Sequence, residues 1–413
     1  MTRKLIILFL ILSAPGICRA DYELRLNDGV TLMWREYSVE GDQYCTRKEF
    51  RKFCIQKRDV LSLKDIKGEA AAASDAGRII VSTPAKKPTL RIIAGIPVTG
   101  IDTPGVNYLD EVMLHAMSRI GCSGATMAVA DHGALVYSRG YGWTDKEKKV
   151  PLQPDAMIGI ASCDKPVTAA AVKQLARDGR FDLDAGVFAL LNTKPSGPVT
   201  DPRMNSITIR NLLEHKAGWG PDPVAGFTAV QRKSDVTNPV FVEAALSFLM
   251  TQKLKHDPGT VSEYCNFGYD TLRYIVQKFS GKRPDDYFRT VLFRPDSVRG
   301  FYGIGSTFPR NAPPLIWNAE AGGPVSASAP ALLTFMRNYW LTGEPRDSGN
   351  PLWIMYGSLD GSTAMTIWRS DGIDLVALFN GRGNVSHDEI ARDLQAVIDR
   401  LKDDNAGSLR NQF

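Results

Sequence analysis

Two hairpin signatures lie far apart in this chain, with a largely helical stretch between them, and that arrangement most restricts the fold. The first is Asp131-His132-Gly133, flanked by the alternating runs Ala125–Ala130 and Ala134–Ser138. The second is Asp371-Gly372, between Ala364–Arg369 and Asp374–Asn380. Ahead of the first pair, Leu109, Val112, Met113, Ala116 and Ile120 fall on one helical face. After the second, Ser386 and Glu389 have capping-box spacing, and Ile390, Leu394, Val397 and Leu401 share a face behind them. In the middle, Ser162–Gly179 reads as a helix with Val167, Ala171, Val172 and Leu175 inward and Gly179 as its stop. Strand pairs at both ends, a closing helix and a helical middle predict an α+β domain over residues 104–402.

Other segments divide the remaining chain. Arg3 and Lys4 precede the apolar run Leu5–Leu12, and small residues lead to a cleavage position after Ala20, so residues 1–20 read as a secretory signal. Cys18 lacks the small preceding residue usual at a lipidated cysteine, which favours cleavage and release. Residues 21–66 read as a small β module, with Asn27-Asp28-Gly29 and Glu40-Gly41-Asp42 as turns and Val30–Trp34 as a strand. Residues 67–103 read as a linker and 403–413 as a flexible tail. Of the formal charge of +5, residues 1–20 hold +3, which leaves a balance too even to imply nucleic acid as partner. No later run is long and apolar enough to span a membrane, so no stable span is expected after cleavage. The expected compartment is periplasmic or secreted, which permits disulfides, and the short spacing of Cys45 and Cys54 predicts that they pair. Cys122, Cys163 and Cys265 read as small buried thiols.

The chemistry-bearing residues begin with Ser162 and Lys165, an S-x-x-K tetrad at the start of the middle helix. Three residues is nearly one helical turn, which puts the amine on the face of the hydroxyl. A serine hydroxyl attacks only when a base takes its proton, and a lysine serves when its neutral form is favoured by burial or nearby positive charge. Tyr264-Cys265-Asn266 then offers a phenol to relay a proton and an amide to orient a substrate carbonyl or the lysine.

These segments together resemble the serine β-lactamase and penicillin-binding-protein superfamily. The likeness is nearest to its branch of class C β-lactamases, D-alanyl-D-alanine carboxypeptidases and related esterases. It is carried by Gly140–Asp145, by Ile160–Pro166 with the tetrad, and by Leu212-Leu213-Glu214-His215-Lys216-Ala217-Gly218. Tyr264-Cys265-Asn266-Phe267-Gly268-Tyr269 and Gly322-Gly323-Pro324-Val325-Ser326-Ala327 follow in the order of that branch. The resemblance implies an antiparallel sheet flanked by helices, joined to an all-helical subdomain, with the site between them. It implies Ser162 as nucleophile, Lys165 and Tyr264 as the proton-handling pair, and Asn266 as the residue that orients the substrate. His215 is read as structural, near the core of the helical part.

The third motif departs from the pattern. Its best match is Met355-Tyr356-Gly357-Ser358-Leu359-Asp360-Gly361, with Met355 where lysine or histidine is expected, and a shifted match puts Ser358 or Leu359 there, equally without charge. The resemblance implies that the Ser162 and Ser358 amides form the oxyanion hole beside Gly357. The expected activity is acyl-enzyme hydrolysis of a small-molecule ester or amide, or a peptide, with β-lactams included. Loss of the cation tilts the expectation toward substrates without a free carboxylate. No metal or organic cofactor is expected. The competing reading is a catalytically impaired binding or sensor protein on the same fold. His115, His132, His256 and His387 are scattered, no zinc pattern occurs, and there is neither a G-x-S-x-G elbow nor a complete dinucleotide fingerprint.

Overall fold

The computed structural model describes residues 89–403, apart from 104, 145–146, 225–238, 290–314, 318–324 and 347–351. It also gives the backbone of strands between residues 22 and 81. The chain divides into two compact units, the first covering Met1–Lys86 and the second running from Lys87 through most of the remainder.

The first unit holds β1 (Tyr22–Leu26), β2 (Val30–Trp34), β3 (Ser38–Glu40), β4 (Gln43–Lys48), β5 (Arg51–Gln56), β6 (Val60–Asp65) and β7 (Ile80–Val81). They form a sheet in the order β6-β1-β2-β7 and a smaller one in the order β3-β4-β5. The β4–β5 register sets Cys45 directly opposite Cys54. The signal segment lies outside the described residues.

The second unit is built on a seven-stranded antiparallel sheet. Its strands are β8 (Thr89–Ile93), β9 (Ile96–Gly100), β10 (Gly124–Asp131), β11 (Ala134–Gly142), β15 (Trp353–Leu359), β16 (Ser362–Trp368) and β17 (Ile373–Phe379). They run in the order β15-β16-β17-β10-β11-β9-β8. A separate small sheet joins β12 (Ile158–Gly159), β13 (Leu315–Trp317) and β14 (Val325–Ala327). Both expected hairpins form, and β17 pairs with β10, so chain segments from the two ends of the domain meet at the centre of one sheet.

The linker reading of residues 67–103 is corrected by this topology. Strand β7 belongs to the first unit, and β8–β9 form the far edge of the main sheet, which moves the start of the large domain from 104 back to about Lys87. The β8–β9 turn is Ala94-Gly95, with φ of 49° and 78°. Positive φ at both central positions is the type I′ hairpin pattern, and alanine seldom supplies it, so the usual Asn-Gly or Asp-Gly signal is missing here.

Strand alternation sends side chains to opposite faces, and both faces of this sheet are covered. One face puts Met127, Val129, Tyr137, Met365, Leu375 and Phe379 against α1 (Asn107–Ile120) and the closing helix His387–Asp403. The opposite face puts Ala128, Ala130, Ala364, Trp368, Val376 and Leu378 into a larger core shared with the helical part. That core includes Val167, Ala171 and Val172 of α2 (Lys165–Arg177) and Leu272, Ile275 and Val276 of the helix Asn266–Ser280. Between these helices come α3 (Val187–Leu191), α4 (Ile209–Leu213) and α5 (Pro239–Leu249), so Asn266–Ser280 is α6. This gives an antiparallel sheet with flanking helices and a mainly helical part.

Candidate active site

Ser162 sits in a short 3₁₀ turn, Ala161–Asp164, that runs straight into α2. Ala161 has φ of 48°, a left-handed conformation that strains a residue with a Cβ and is held only when its surroundings fix it. Two contacts fix this turn. The Ile160 N–H donates to the Val325 carbonyl at 2.8 Å, which ties it to β14. On the other side β15 passes so close that a Cβ on Gly357 would lie 2.1 Å from the Ile160 carbonyl oxygen. Only glycine fits between strand and turn.

Two side chains converge on the Ser162 hydroxyl, and a third fixes one of them. Lys165 is buried, at 6% exposure, and its Nζ donates to Ser162 Oγ at 3.2 Å and to Asn266 Oδ1 at 2.9 Å. The Tyr264 hydroxyl lies 2.7 Å from Ser162 Oγ. Lys165 Nζ also sits over the rings of Tyr264 and Tyr269, 4.9 Å and 5.6 Å from their centroids. Tyr264 is 45% exposed, so the cluster opens to solvent on that side. The tetrad comes from one helix start and Tyr264 and Asn266 from another, and the packing of α2 against α6 brings them together.

The third-motif segment lies on β15, which runs beside the Ser162 turn. Gly357 faces the Ser162 turn, and by the two-residue period of a strand Met355 shares that face. Met355 is partly buried against the helical core, and its carbonyl accepts from the Cys163 thiol at 3.5 Å. Tyr356 points the other way, with its hydroxyl 3.0 Å from Asp388 Oδ1 and its ring stacked on His387. Ser358 follows Gly357 beside the nucleophile turn. Of the Gly322–Ala327 segment, Val325–Ala327 is β14, and the glycines lie outside the described residues.

His215 does more than fill the core. Its ring packs on those of Tyr264 and Tyr269, with centroids at 4.6 Å and 5.0 Å, and its Nδ1 accepts the Cys265 N–H at 3.1 Å. It sits just past α4 with φ of 56°. Burial first, and the nearby Lys165 charge second, pull its imidazole down to about 4, so it stays neutral at ordinary pH. Cys163 and Cys265 are buried free thiols and Cys122 is a partly buried one. Burial pushes Cys163 up to about 12, which makes it an inert neighbour of Ser162.

One group of residues near the site escaped the reading of the sequence. Arg273 on α6 pairs with Asp164 in the 3₁₀ turn and with Asp270 at 2.7 Å. The side chains of Asp164, Arg273 and Asp270 are 8%, 12% and 14% exposed. Burial raises the Asp270 carboxyl to about 6 against the opposing pull of Arg273 and Lys165. The visible signal was a charged pair three residues apart on α6, at positions four and seven after Asn266.

A buried amine, a phenol and an amide around a serine hydroxyl, held between a sheet and a helical part, define a class of site found in acyl-transferring serine hydrolases. The beta-lactamase family model matches residues 109–350, more than half of the chain, and the protein belongs to that family. Protein flp of Staphylococcus aureus (strain N315) is 29% identical over 203 residues, 48% of this chain and 38% of flp. The putative penicillin-binding protein PbpX of Bacillus subtilis (strain 168) is 26% identical over 198 residues, 48% of this chain and 44% of PbpX. The chain thus spans less than half the length of these curated relatives. Among solved structures, the octameric penicillin-binding protein homologue from Pyrococcus abyssi aligns with a TM-score of 0.52 at 20% identity, covering 71% of this chain and 77% of that one. The D-amino acid amidase from Ochrobactrum anthropi SV3, complexed with L-phenylalanine amide, aligns with a TM-score of 0.52 at 19% identity, covering 72% and 98%. These two likenesses show the β-lactamase and penicillin-binding-protein fold.

Proposed function

We propose that the protein is an exported serine hydrolase that forms an acyl-enzyme at Ser162. The observation that carries this reading is the convergence of Lys165 Nζ at 3.2 Å and the Tyr264 hydroxyl at 2.7 Å on one serine oxygen. In this mechanism Ser162 Oγ attacks a carbonyl while its proton passes to the Lys165–Tyr264 pair. The carbonyl oxygen becomes an oxyanion held by the Ser162 and Ser358 amides, each such donor contributing roughly 3–4 kcal/mol to the transition state. The proton moves to the leaving alcohol or amine as the tetrahedral intermediate collapses. Water then attacks the ester of Ser162 and gives up its proton to the same pair, which returns it to Ser162 Oγ as the C–Oγ bond breaks and the acid leaves. Asn266 fixes Lys165 and orients the substrate carbonyl.

Met355 sets the substrate class. Where a cation would bind a substrate carboxylate, the site offers a thioether, and a carboxylate buried there would stay unpaired. The substrates proposed are therefore esters or amides of small molecules or peptides that have no free carboxylate at that end. Met355 also favours a second reading, a binding or sensor protein that has lost turnover. Reaction with a fluorophosphonate separates them. Mass spectrometry should find the phosphonyl group on Ser162, and Ser162→Ala should lower ester hydrolysis by about 10³-fold or more. An unlabelled wild type would rule out the hydrolase.

Export rests on Arg3, Lys4 and the apolar run Leu5–Leu12. Among the described residues no helix is long and apolar enough to cross a membrane. A Cys45–Cys54 disulfide rests on their opposed positions in the β4–β5 ladder, where directly paired strand residues come within the Cα spacing a disulfide needs. Non-reducing peptide mapping of the exported protein should find the two cysteines linked and a chain beginning at Asp21. Free thiols there, or an intact leader, would reject the corresponding claim.

A further inference from the structure

The Asp164–Arg273–Asp270 cluster bridges the two elements that make up the site. Asp164 lies between Ser162 and Lys165 in sequence, and Arg273 and Asp270 lie on the helix that begins with Asn266. One ion pair, Arg273–Asp164, joins the nucleophile turn to α6, and the other, Arg273–Asp270, lies within α6. A buried charge cluster is a poor source of stability, because desolvation offsets most of the Coulomb attraction. This one also leaves Asp164 Oδ1 and Arg273 Nε buried without hydrogen-bond partners. Packing alone does not account for two carboxylates and a guanidinium at this point.

We propose that Asp164, Arg273 and Asp270 are positioning residues that hold Lys165 against Ser162 and set the charge it meets, with Asp270 as the adjustable member. This inference rests on the serine-hydrolase reading of the same site. With Asp270 ionised, the cluster carries one net negative charge, and with Asp270 protonated it is neutral. A negative charge nearby favours the protonated amine, which cannot accept the serine proton.

The groups that face Lys165 come from every element packed against it. Among the described residues, the turn and α2 contribute Ser162, Cys163 and Asp164, and the loop before α6 contributes Tyr264. Helix α6 contributes Asn266, Tyr269, Asp270 and Arg273. The turn after α4 contributes His215, and the facing residues of β15 are Met355 and Gly357, which carry no charge. Cys163 is pushed up to about 12 and His215 down to about 4, and Tyr269 is raised by burial. Burial raises Asp270, in the cluster tied to the nucleophile turn, to about 6, so it changes charge between pH 5 and 7.

The test is the pH profile of Ser162 acylation by a fluorophosphonate, with kcat and KM for a p-nitrophenyl ester, on the full chain. Asp270→Asn removes one negative charge and keeps an acceptor for Arg273, so the midpoint of the acid limb should fall by about half a pH unit or more. Arg273→Met removes the positive charge, and the midpoint should rise while kcat falls more than KM changes. Arg273→Lys keeps the charge and loses the fork, so its midpoint should stay near wild type with a reduced rate. If Arg273→Met does not fold, Asp270→Asn decides alone. A labelled Asp270→Asn protein whose midpoint coincides with wild type overturns the inference and leaves the serine reading standing. A wild type that never labels overturns the serine reading and the inference with it.

Discussion

Lys165 touches both Ser162 and Asn266, and it lies over two tyrosine rings. A long flexible side chain loses about 2 kcal/mol of rotamer entropy when fixed, so a lysine held at this many points is held for a purpose other than stability. Met355 on the facing strand has no comparable polar duty. If its thioether sets the preference for neutral substrates, Met355→Lys should raise kcat/KM for a penicillin or cephalosporin while lowering it for a neutral short-chain ester. A charge-assisted contact to carboxylate is worth roughly 1.5–3 kcal/mol, which corresponds to a change of about 10- to 100-fold in the ratio of the two. Steady-state kinetics on both substrates checks it. A wild type that already prefers the cephalosporin would mean that another residue supplies the cation. The proposed site residues were legible in the sequence because S-x-x-K and Tyr-x-Asn are short local spacings that a single chain segment carries. Arg273 and its two carboxylates were not, because a charged residue on a helix usually points to water, and only the packing of α2 on α6 shows that these do not.

At the scale of elements, the site depends on how closely β15 approaches the turn that carries Ser162. Gly357 permits that approach, since the nearest atom to a Cβ there belongs to the backbone of Ile160 and not to a side chain that can swing aside. Gly357→Ala should push the strand from the turn, costing about 1–3 kcal/mol of stability and a larger share of activity, because Ser358 and Ser162 separate. Thermal melts and ester hydrolysis on the same preparation give the two numbers. A variant with wild-type kcat would show that Ser358 takes no part in holding the oxyanion. The elements themselves followed the sequence where their periodicity was strong. Helix α1, the β10–β11 and β16–β17 hairpins and the closing helix lie within a few residues of the expected spans. Strands β8 and β9 were missed because their turn is Ala-Gly and because Leu90 and Ile92, at 61% and 64% exposure, face solvent at a sheet edge. A short edge hairpin with one wet face carries too little hydrophobic pattern to stand out from a linker.

For the whole molecule, the division at Lys87 separates a β-rich first unit from a second unit with a complete interior of its own. Every described residue in the two hydrophobic clusters lies at or after Ile93, and the seven-stranded sheet closes on β8 without borrowing a strand from residues 1–86. Pairing of β10 with β17 is the step that unites the domain, and it joins residues 125–131 to 373–379. No local pattern announces such a contact, and here it was implied only by the likeness to a known family. Because the second unit has its own sheet, both helical layers and all the site residues, a chain of residues 87–413 should fold alone. It should melt cooperatively within a few degrees of the large-domain transition in the full chain, and Ser162 should react with a fluorophosphonate at the full-length rate. Calorimetry and labelling kinetics on the two chains make the comparison. Non-cooperative melting of the shorter chain would show that the first unit completes the fold. Cooperative melting with slower labelling would instead give residues 21–86 a part in the reaction at Ser162.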